Sequence, residues 1–546
     1  MTEEKNHKSE SSVVEEQAEA AIPQSEHGEG VRRKLDMYLG PILILIHTFH
    51  FLARSALNSA AVMDIRTDLR LSGGDYSWCS AIYYLGYLVA SYPAAWLMVR
   101  MPIAKFMVAS IERERERERK KEKLIWGLLI LKLTIFLFPL EASMLWGAMT
   151  MLMALPHNAA GLLTLRFLLG VFEAPLGPGL AIIVTMFYKR SEQPLRHAVW
   201  FAGNGLAGTV GGIMAYGIGH VHSMAPWKAS SLGLPHYSWA SVAWSAVALV
   251  VLPDTPAEAR FLSKAERAAV VRRVNDNMTG IRNNEFKWYQ VREALLDAKT
   301  WFMVTFEFAA GIANGATNFS TIVTQGFGFS ELNTLLLLAG EYFSQLCFIL
   351  AVCWLSSRVP NSRAWRMAAC MLMGILSALL IRQLPPHMKW GRYAGVLLRA
   401  GFVGYFPLLM AVASGNTAGY TKKTITNAMV GASDTETLLL RHAIISHPLF
   451  LHSRPAIFVA FCCGNIVGPQ LYFQSEAPSY PSGFLSLMIC LGVSFVTVLG
   501  LRFHLYRENK RRDALGPPAA PGSIENEDFD AMDLTDKEMP QFRYVY

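Results

Sequence analysis

An arginine and a glutamate lie seven residues apart inside one long apolar stretch. Arg166, Gly170, Glu173 and Gly177 lie at offsets 0, 4, 7 and 11, so in a helix they occupy one stripe about 60° wide. A cation can bind an anion through charge-assisted hydrogen bonds, and a neighbouring acid can exchange a proton. This face is therefore a candidate site for anion binding and proton movement. The alternative is that Arg166 only reaches toward lipid headgroups.

A second polar stripe runs along another apolar stretch. Glu307, Asn314, Asn318, Thr321 and Gln325 lie at offsets 0, 7, 11, 14 and 18 and share one helix face. Ionisable and amide groups are costly in hydrocarbon and often mark a pathway for a ligand or ion. Hydrogen bonding between helices, without any ligand, is the alternative.

Polar groups also occur in two further apolar stretches. Glu341 and Gln345 are spaced i, i+4, and His47 shares a face with Arg54 and Asn58. We predict that Glu341, His47 and Arg54 belong to the same pathway, with hydrogen bonding between helices as the alternative for the histidine.

Glycines cluster where helices are expected to touch. Gly208 and Gly212 lie in the run GNGLAGTVGG, and Gly464 and Gly468 form a GxxxG. Small residues let helix backbones approach closely. We predict a packing role for these four glycines and for the two glycines of the first stripe.

The elements that must position these residues are apolar helices. Hydrophobic residues make up 52% of the 546 residues and charged residues 17%, against about a quarter charged in soluble proteins. The chain is therefore predicted to be an all-α membrane protein with twelve spans in a lipid bilayer. Spans 1 to 12 are predicted at Leu39–Asn58, Ser77–Val99, Leu145–Leu155, Leu162–Tyr188, Ala198–Gly219, Trp239–Leu252, Trp301–Thr324, Thr334–Leu355, Ala364–Leu384, Tyr393–Ser414, Ile457–Phe473 and Phe484–Phe503.

Charge sets the expected orientation and organisation. Lysine and arginine precede span 1 and follow spans 2, 4, 8, 10 and 12, which predicts that both termini are cytoplasmic. The net charge of +8 is explained by these loops and does not indicate nucleic acid. The predicted units are a disordered tail (1–34), a six-helix bundle (35–252), a cytoplasmic linker (253–300), a second six-helix bundle (301–507) and a disordered tail (508–546). The linker contains two sequences of capping-box form, Thr255 to Glu258 and Ser263 to Glu266.

Two segments do not fit this pattern. Residues 112–144 begin with the charged run ERERERERKKEK, and burying that run in a bilayer would cost on the order of 30 kcal/mol. Residues 431–456 are too polar to span and separate two parts of one apolar stretch. We hypothesise that both are spurious inserts, such as translated introns.

Several classes of function are disfavoured. The seven cysteines form no CxxC pair, so neither a disulfide framework nor a zinc site is indicated. The sequence has no phosphate-binding GxxxxGK[ST] and no His/Glu metal motif. We expect no enzymatic activity, no catalytic residues, no metal and no cofactor.

Longer motifs resemble a known family. The stretches GLLTLRFLLGVFEAPLGPGLAIIVTMFYKRSEQPLR, GYTKKTITNAMV, CCGNIVGPQLY and FSTIVTQGFGFS resemble the fungal allantoate permeases, in the anion:cation symporter branch of the major facilitator superfamily. The resemblance covers about residues 35–507 apart from the two segments above. One departure is FLAR in span 1, where relatives commonly have an acid at the position of Ala53.

The resemblance implies a fold of two six-helix bundles that rock about a midplane site. It implies uptake of a small organic anion, such as allantoate, nicotinate or pantothenate, driven by protons, and it matches Arg166 and Gly170 to the superfamily's helix-four arginine motif. We expect a monomer in the plasma membrane. An exporter of the same fold and a nutrient sensor that does not transport are the alternatives.

Overall fold

The computed structural model describes residues 24–514 and 534–546 with internal gaps, and every regular element in the described part is a helix. The gaps are 63–64, 72–73, 101–148, 151, 154, 175–179, 181–182, 185–186, 189–191, 221–243, 245–246, 248–250, 254–255, 257–258, 276–286, 360, 420, 423–425, 427–458, 515–533 and 540–541. Both suspected inserts, residues 112–144 and 431–456, therefore lie outside the described residues.

Helices of the first half follow the apolar runs. They are α1 (Gln24–Val62), α2 (Ile65–Asp68), α3 (Asp75–Arg100), α4 (Ala159–Glu173), α5 (Gln193–Phe201) and α6 (Gly203–Ile218). The start of α4 is fixed by Asn158, whose side chain accepts a hydrogen bond from the Gly161 backbone nitrogen at 2.8 Å. Such caps satisfy a backbone donor that has no partner inside the helix.

The next helices belong to the linker and to the second half, and the first two of them lie in the linker. The helices are α7 (Lys264–Asn275), α8 (Trp288–Leu296), α9 (Ala298–Asn314), α10 (Ala316–Gln325), α11 (Glu331–Arg358), α12 (Arg363–Gln383), α13 (Lys389–Phe402), α14 (Tyr405–Gly415), α15 (Val459–Val467) and α16 (Pro481–Asp513). The predicted capping box before α7 is present, because Ser263 and Glu266 each accept the other's backbone N–H, at 3.2 and 2.7 Å. The box predicted at residues 255–258 lies outside the described residues.

Five described helical segments are long and apolar enough to cross a membrane. They are Glu29–Val62, Glu331–Ser356, Arg363–Gln383, Lys389–Ala413 and Pro481–Asp513, and they cover predicted spans 1, 8, 9, 10 and 12. Span 7 was predicted as one continuous helix, but the structure divides it into α9 and α10 at Gly315. A Cβ on Gly315 would lie 2.8 Å from the Cα of Gly468, so this break coincides with a close contact between two glycine backbones.

The structure departs from the predicted disordered tail at residues 508–546. Helix α16 continues to Asp513, and residues 534–539 and 542–546 pack against the second half. Asp536 is completely buried there and forms ion pairs with Lys299 and Lys422. The acidic composition suggested disorder, but these lysines neutralise the charge that would otherwise keep the segment in solvent.

The N-terminal boundary also differs from the prediction. Helix α1 begins at Gln24, inside the predicted tail 1–34, and residues 1–23 lie outside the described residues. Lys34 on this helix pairs with Glu266 of α7 at 2.9 Å, and Asp36 pairs with Arg196 of α5 at 2.5 Å. These contacts hold the early turns of α1 against the linker and α5.

Candidate functional site

A cavity of about 110 Å³ lies between helices of the first half and helices of the second half. Its lining combines aromatic rings, side-chain amides and one cation. The polar and charged lining residues are Ser55, Asn58, Asn204, Asn314, Thr317, Asn318, Gln345 and Arg399. The aromatic lining residues are Phe51, Tyr84, Phe201, Tyr342, Phe402, Tyr405, Phe406 and Phe461. A mostly apolar cavity with a few convergent polar groups is the usual form of a small-molecule site.

The cation of the cavity is Arg399, in the last turn of α13. It is 3% exposed and forms an ion pair with Glu341 of α11, which is 4% exposed. Its Nη1 donates a hydrogen bond to the Thr317 hydroxyl at 2.9 Å, and the Ser320 hydroxyl donates to the other oxygen of Glu341. A buried guanidinium thus faces the cavity with one carboxylate as its counter-ion.

Amide groups surround this ion pair at the break between α9 and α10. Asn314 donates to the side-chain oxygen of Asn465 at 2.8 Å and accepts from the Thr317 hydroxyl at 3.1 Å. Asn58 of α1 donates to the Thr317 backbone oxygen at 3.3 Å. The Tyr76 hydroxyl donates to the Asn318 backbone oxygen at 2.8 Å. The first half therefore contacts the second half beside the cavity through hydrogen bonds to α10.

Aromatic side chains form the remaining walls. Phe201 of α5 stacks on Phe406 of α14 with ring centroids 4.9 Å apart, and Tyr84 of α3 meets Phe461 of α15 edge to face at 5.8 Å. Each pair joins a ring of the first half to a ring of the second half. Such contacts can be made and broken with little cost in hydrogen bonding, because no polar group loses a partner.

Behind one aromatic wall lies a second acid. Glu307 of α9 is completely buried and accepts a hydrogen bond from the Tyr405 hydroxyl at 3.4 Å. In the described part of the chain, no lysine or arginine lies within ion-pair distance of it, and its Oε2 has no hydrogen-bond partner. Glu307 differs in this respect from Glu341, which has a cation.

Comparison with known proteins identifies the family. The model of the Major Facilitator Superfamily matches residues 123–433, more than half of the chain. An uncharacterized transporter of Schizosaccharomyces pombe is 33% identical over 518 residues, covering 94% of this chain and 86% of the relative. The chain belongs to the Major Facilitator Superfamily.

Two other proteins are similar to this major facilitator. Allantoate permease of Saccharomyces cerevisiae is 28% identical over 556 residues, covering 98% of this chain and 89% of the permease. The crystal structure of FucP, a Major Facilitator Superfamily transporter in the outward conformation, matches with a TM-score of 0.50 at 15% identity, over 85% of this chain and 99% of FucP. The predicted superfamily and all-α fold are confirmed. The chain is a membrane transporter and not an enzyme.

The cavity of this major facilitator brings together some of the predicted pathway residues. Asn314 and Asn318 line it, and Glu341 contacts Arg399 at its edge. Glu307 lies one residue layer behind, against Tyr405. These four residues come from two predicted spans, so the polar stripes of spans 7 and 8 meet at one place.

The first predicted stripe lies elsewhere in the major facilitator. Arg166 and Glu173 of α4 are 3% and 8% exposed, and neither lines the cavity. The Arg166 guanidinium lies near Tyr76 and Cys79 of α3, where its charge acts on both side chains. The face of α4 that carries the predicted stripe is buried and packs on α3, and its role in anion binding and proton movement stays a prediction.

Two other predicted residues, His47 and Gln325, do not line the cavity. His47 is half-buried, and its ring meets Trp200 edge to face at 4.8 Å. Gln325 is the last residue of α10 and is half-buried. The side chains of Arg54 and its neighbour Ala53 lie outside the described residues, as does Gly177.

Glycines lie at the closest helix contacts, as the packing prediction requires. A Cβ on Gly212 of α6 would lie 2.7 Å from the Ala339 backbone nitrogen of α11, which is too close for any real side chain. A Cβ on Gly208 would overlap the ring of Tyr342, a cavity residue. Further close contacts join Gly170 to α3, Gly464 to α9 and Gly468 to the α9–α10 break.

Sequence reasoning missed Arg399, the cation of the cavity. Its signal was available, because a single arginine interrupts the apolar run VLLRAGFVGYF well inside span 10. An ionisable residue within a span is a candidate functional residue by itself. The helical stripes used in the prediction needed several polar residues on one face, and span 10 has no such series.

Proposed function

We propose that this major facilitator takes up a small organic monocarboxylate together with a proton, and that the cavity around Arg399 is the substrate site. The observation that supports it best is a buried guanidinium that faces a cavity between the two halves. Burying a cation is costly, and a planar guanidinium binds a carboxylate through two parallel hydrogen bonds. The similarity to allantoate permease supports an organic acid as substrate.

The lining suggests which acids fit. One arginine among the cavity-lining residues suits one carboxylate, and the amides of Asn58, Asn314 and Asn318 can pair with ureide, amide or ring-nitrogen groups. Aromatic rings on several sides suit a flat substrate. Allantoate, nicotinate and pantothenate all combine a carboxylate with such groups and are therefore the first acids to test.

Glu341 offers a route to proton coupling. In the structure it is the counter-ion of Arg399. A substrate carboxylate that binds Arg399 displaces Glu341, which then lies buried without a cation. Taking up a proton removes that uncompensated charge. One proton would thus enter with each substrate anion, and the occupied site would carry no extra charge as the halves reorient.

Residues outside the cavity have supporting roles in this proposal. Glu307 is a second proton acceptor, connected to the cavity through Tyr405. Arg166 and Glu173 act on α4 as a further proton-coupling pair, and His47, Arg54 and Gln325 contribute polar groups along the same pathway. Arg166→Ala is expected to abolish uptake while leaving surface expression intact.

The membrane arrangement follows the charge pattern. Two six-helix bundles, 35–252 and 301–507, rock about the cavity, with both termini in the cytoplasm and the linker 253–300 on the same side. We place the transporter in the plasma membrane as a monomer.

Uptake of labelled acids by cells tests the proposal. Cells that express the transporter are compared with empty-vector cells, using allantoate, nicotinate and pantothenate at external pH 5 and pH 7. Arg399→Gln is expected to reduce uptake at least about 100-fold, the loss typical of removing a buried ionic contact. Arg382→Gln is the matched control, because Arg382 is exposed at the end of α12. Uptake by Arg399→Gln equal to wild type, at equal surface expression, would reject the site.

Glu341→Gln tests the coupling step separately. We expect its uptake to lose the difference between pH 5 and pH 7, because the glutamine cannot accept a proton. Glu331→Gln, at the exposed start of the same helix, should keep that difference. If Glu341→Gln retains the wild-type pH dependence, the proton uses another acid. Net loss of preloaded acid from expressing cells would instead indicate an exporter.

A further inference from the structure

After residues that lie outside the described part of the chain, residues 534–539 and 542–546 form a segment that binds between three helices of the second half. We propose that this segment, called the strap, fixes the ends of α9, α14 and α16 to one another, and that Asp536 is the residue that positions it. The inference is independent of which substrate is carried. It rests on the contacts of residues 534–539 and 542–546.

Asp536 is the centre of the contact. It is completely buried and forms ion pairs with Lys299 of α9 and with Lys422, the latter at 2.9 Å. Its side chain also accepts hydrogen bonds from the Ala418 backbone nitrogen at 3.3 Å and the Tyr544 hydroxyl at 2.7 Å. A completely buried carboxylate with four partners is a specific docking contact, because burial without partners would be strongly unfavourable.

The strap completes a balanced cluster of charges. The Lys422 ammonium lies 2.7 Å from Glu293, 2.8 Å from Asp297 and 2.9 Å from Asp536. These three carboxylates are close enough together to hold a metal ion, but the ammonium already lies among them and supplies the positive charge. Without Asp536, two buried lysines would remain with Asp297 and with Glu293, whose side chain is 17% exposed.

Protonation states in the cluster are fixed by the same contacts. Burial by itself raises the pKa of Asp536, but Lys299 and Lys422 outweigh it and hold that pKa below its usual range. Burial lowers the pKa of Lys422, but Asp536 and Asp297 outweigh it and raise that pKa overall. Both groups are therefore charged throughout the cytoplasmic pH range.

Reciprocal hydrogen bonds join the strap to two helix ends. Asn416, which follows α14, both donates to the Val545 oxygen and accepts from the Val545 nitrogen, at 2.6 Å each. Asn509 of α16 makes the same pair of bonds with the backbone of Tyr544, at 2.8 Å each. Paired bonds of this kind fix both the position and the register of the bound backbone.

Arg512 of α16 binds the turn of the strap. Its Nη1 donates to the backbone oxygens of Asp536, Met539 and Phe542 at 2.8, 3.1 and 3.1 Å, and its Nη2 donates to the Tyr544 hydroxyl at 2.9 Å. Arg512 is 2% exposed. One guanidinium thus binds three carbonyl groups of the strap, of which the Met539 carbonyl also accepts from the Phe542 backbone nitrogen at 3.2 Å.

Two of the three helix ends held by the strap, those of α9 and α14, belong to elements that build the cavity. Helix α9 contains Asn314, and α14 contains Tyr405 and follows directly on the helix that contains Arg399. A transporter half that rocks as a rigid body needs its helices to move together. The strap provides that connection without touching the cavity.

The first experiment measures docking in the purified full-length protein in detergent. Asp536→Asn is compared with Lys537→Gln, whose side chain is 48% exposed and lies 3.9 Å from Asp297, a contact that contributes less than about 1 kcal/mol at such exposure. Loss of one partner from a buried ionic cluster should lower the thermal midpoint by about 5–10 °C and speed amide exchange at Val545 and Lys422 on the order of 100-fold. Lys537→Gln should leave both unchanged. Wild-type exchange in Asp536→Asn would overturn the proposal.

A suppressor variant separates positioning from general damage. Lys299→Met combined with Asp536→Asn removes one positive and one negative charge, and Lys422 keeps Asp297 as its counter-ion. We expect the double variant to regain most of the thermal midpoint that Asp536→Asn loses. A double variant less stable than both single variants would contradict the charge balance on which the proposal depends.

Transport gives the second readout, which rests on the proposed function. With labelled allantoate as probe, Asp536→Asn should lower Vmax several-fold and leave KM unchanged, because the strap does not contact the cavity. A raised KM with unchanged Vmax would overturn the positioning role. If wild-type cells take up none of the three acids, the proposed function fails, and the melting and exchange measurements still decide the strap.

Discussion

Two buried ionic sites of the second half use the same kinds of side chain in opposite ways. At the cavity, Arg399 has one carboxylate and one hydroxyl as partners, and empty space lies beside it. At the strap, Asp536 has four partners and does not line that cavity. An ion pair with few partners beside a cavity can exchange its counter-ion, whereas a densely bonded cluster can only be broken. The surroundings, more than the residue types, therefore separate a binding site from a structural one.

Removing the cluster's central cation should have the largest effect on stability. Lys422→Met leaves three carboxylates around an apolar side chain, and we expect it to destabilise the protein by about 3–5 kcal/mol. The double variant Arg399→Gln/Glu341→Gln replaces the cavity pair by neutral groups, and we expect it to be within about 1 kcal/mol of wild type or more stable. Thermal unfolding of both in the same detergent checks this.

The comparison would fail if the two variants melted at the same temperature. Equal losses would mean that the cavity pair is as structural as the cluster. The Arg399→Gln/Glu341→Gln variant should also be inactive in uptake, so that a stable, inactive protein marks the cavity pair as functional.

Two glycines of α6 test the contact between the halves, and the expected loss of stability is of intermediate size. Gly212→Ala forces α6 away from the Ala339 backbone, and overpacking of this kind costs about 1–3 kcal/mol. Because α11 contains Glu341, we expect uptake to fall several-fold. Gly217→Ala on the same helix meets no atom within 4 Å and should leave both uptake and melting unchanged. Equal effects of the two alanines would exclude close packing as the reason.

The smallest expected effect concerns pH. Asp536 has a lowered pKa, so its stabilisation is present above its unfolded pKa of about 3.9 and is lost as the pH falls through the lower folded value. Lys422 has a raised pKa, so its contribution is present below about 10.4 and is lost as the pH rises through the higher folded value. Burial lowers the pKa of Lys299, and Asp536 opposes that shift, so the variant should hold the Lys299 proton less well at high pH. The difference in melting temperature between wild type and Asp536→Asn should therefore be constant from about pH 5.5 to pH 8 and change only above that range.

The charged neighbours of this cluster do not change that expectation. Asp297, Lys299 and Arg512 face Asp536 directly, and burial together with Asp536 raises the pKa of the Tyr544 hydroxyl, so it stays protonated. A melting difference that changed between pH 6 and pH 8 would show that another group controls the strap. Uptake, by contrast, should depend on pH in the same range if Glu341 carries the proton.

Where polar residues repeat on one helix face, the sequence predicted residues that the structure brings together, and their role in a pathway stays a prediction. Asn314, Asn318 and Glu341 were found because amides and acids are rare in apolar runs, and all three lie at the cavity or its ion pair. Arg166 was found by the same rule but lies against α3. A periodic pattern defines which face is buried, while the choice of neighbour depends on how whole helices pack, which one sequence does not specify.

The ordered structure of the strap could not be predicted from the sequence, and the reason is a different one. The segment DLTDKEMPQFRYVY is polar and acidic, which is the composition of a disordered tail. Its order depends on Lys299 and Lys422, and nothing near Asp536 in the sequence indicates those partners. Its local capping box, Thr535 with Glu538, is visible in the sequence, but such a box fixes only one turn.

The distance along the chain between Lys299 and Asp536 has a consequence for biosynthesis. The two residues are 237 positions apart, and at ribosomal rates of about 5–20 residues per second the aspartate is made roughly 10–50 s after the lysine. Throughout that interval Lys299 and, once made, Lys422 have only nearby acids as counter-ions. The second half can therefore reach its final stability only late in synthesis, and nascent chains interrupted before the strap should be preferred targets for membrane quality control.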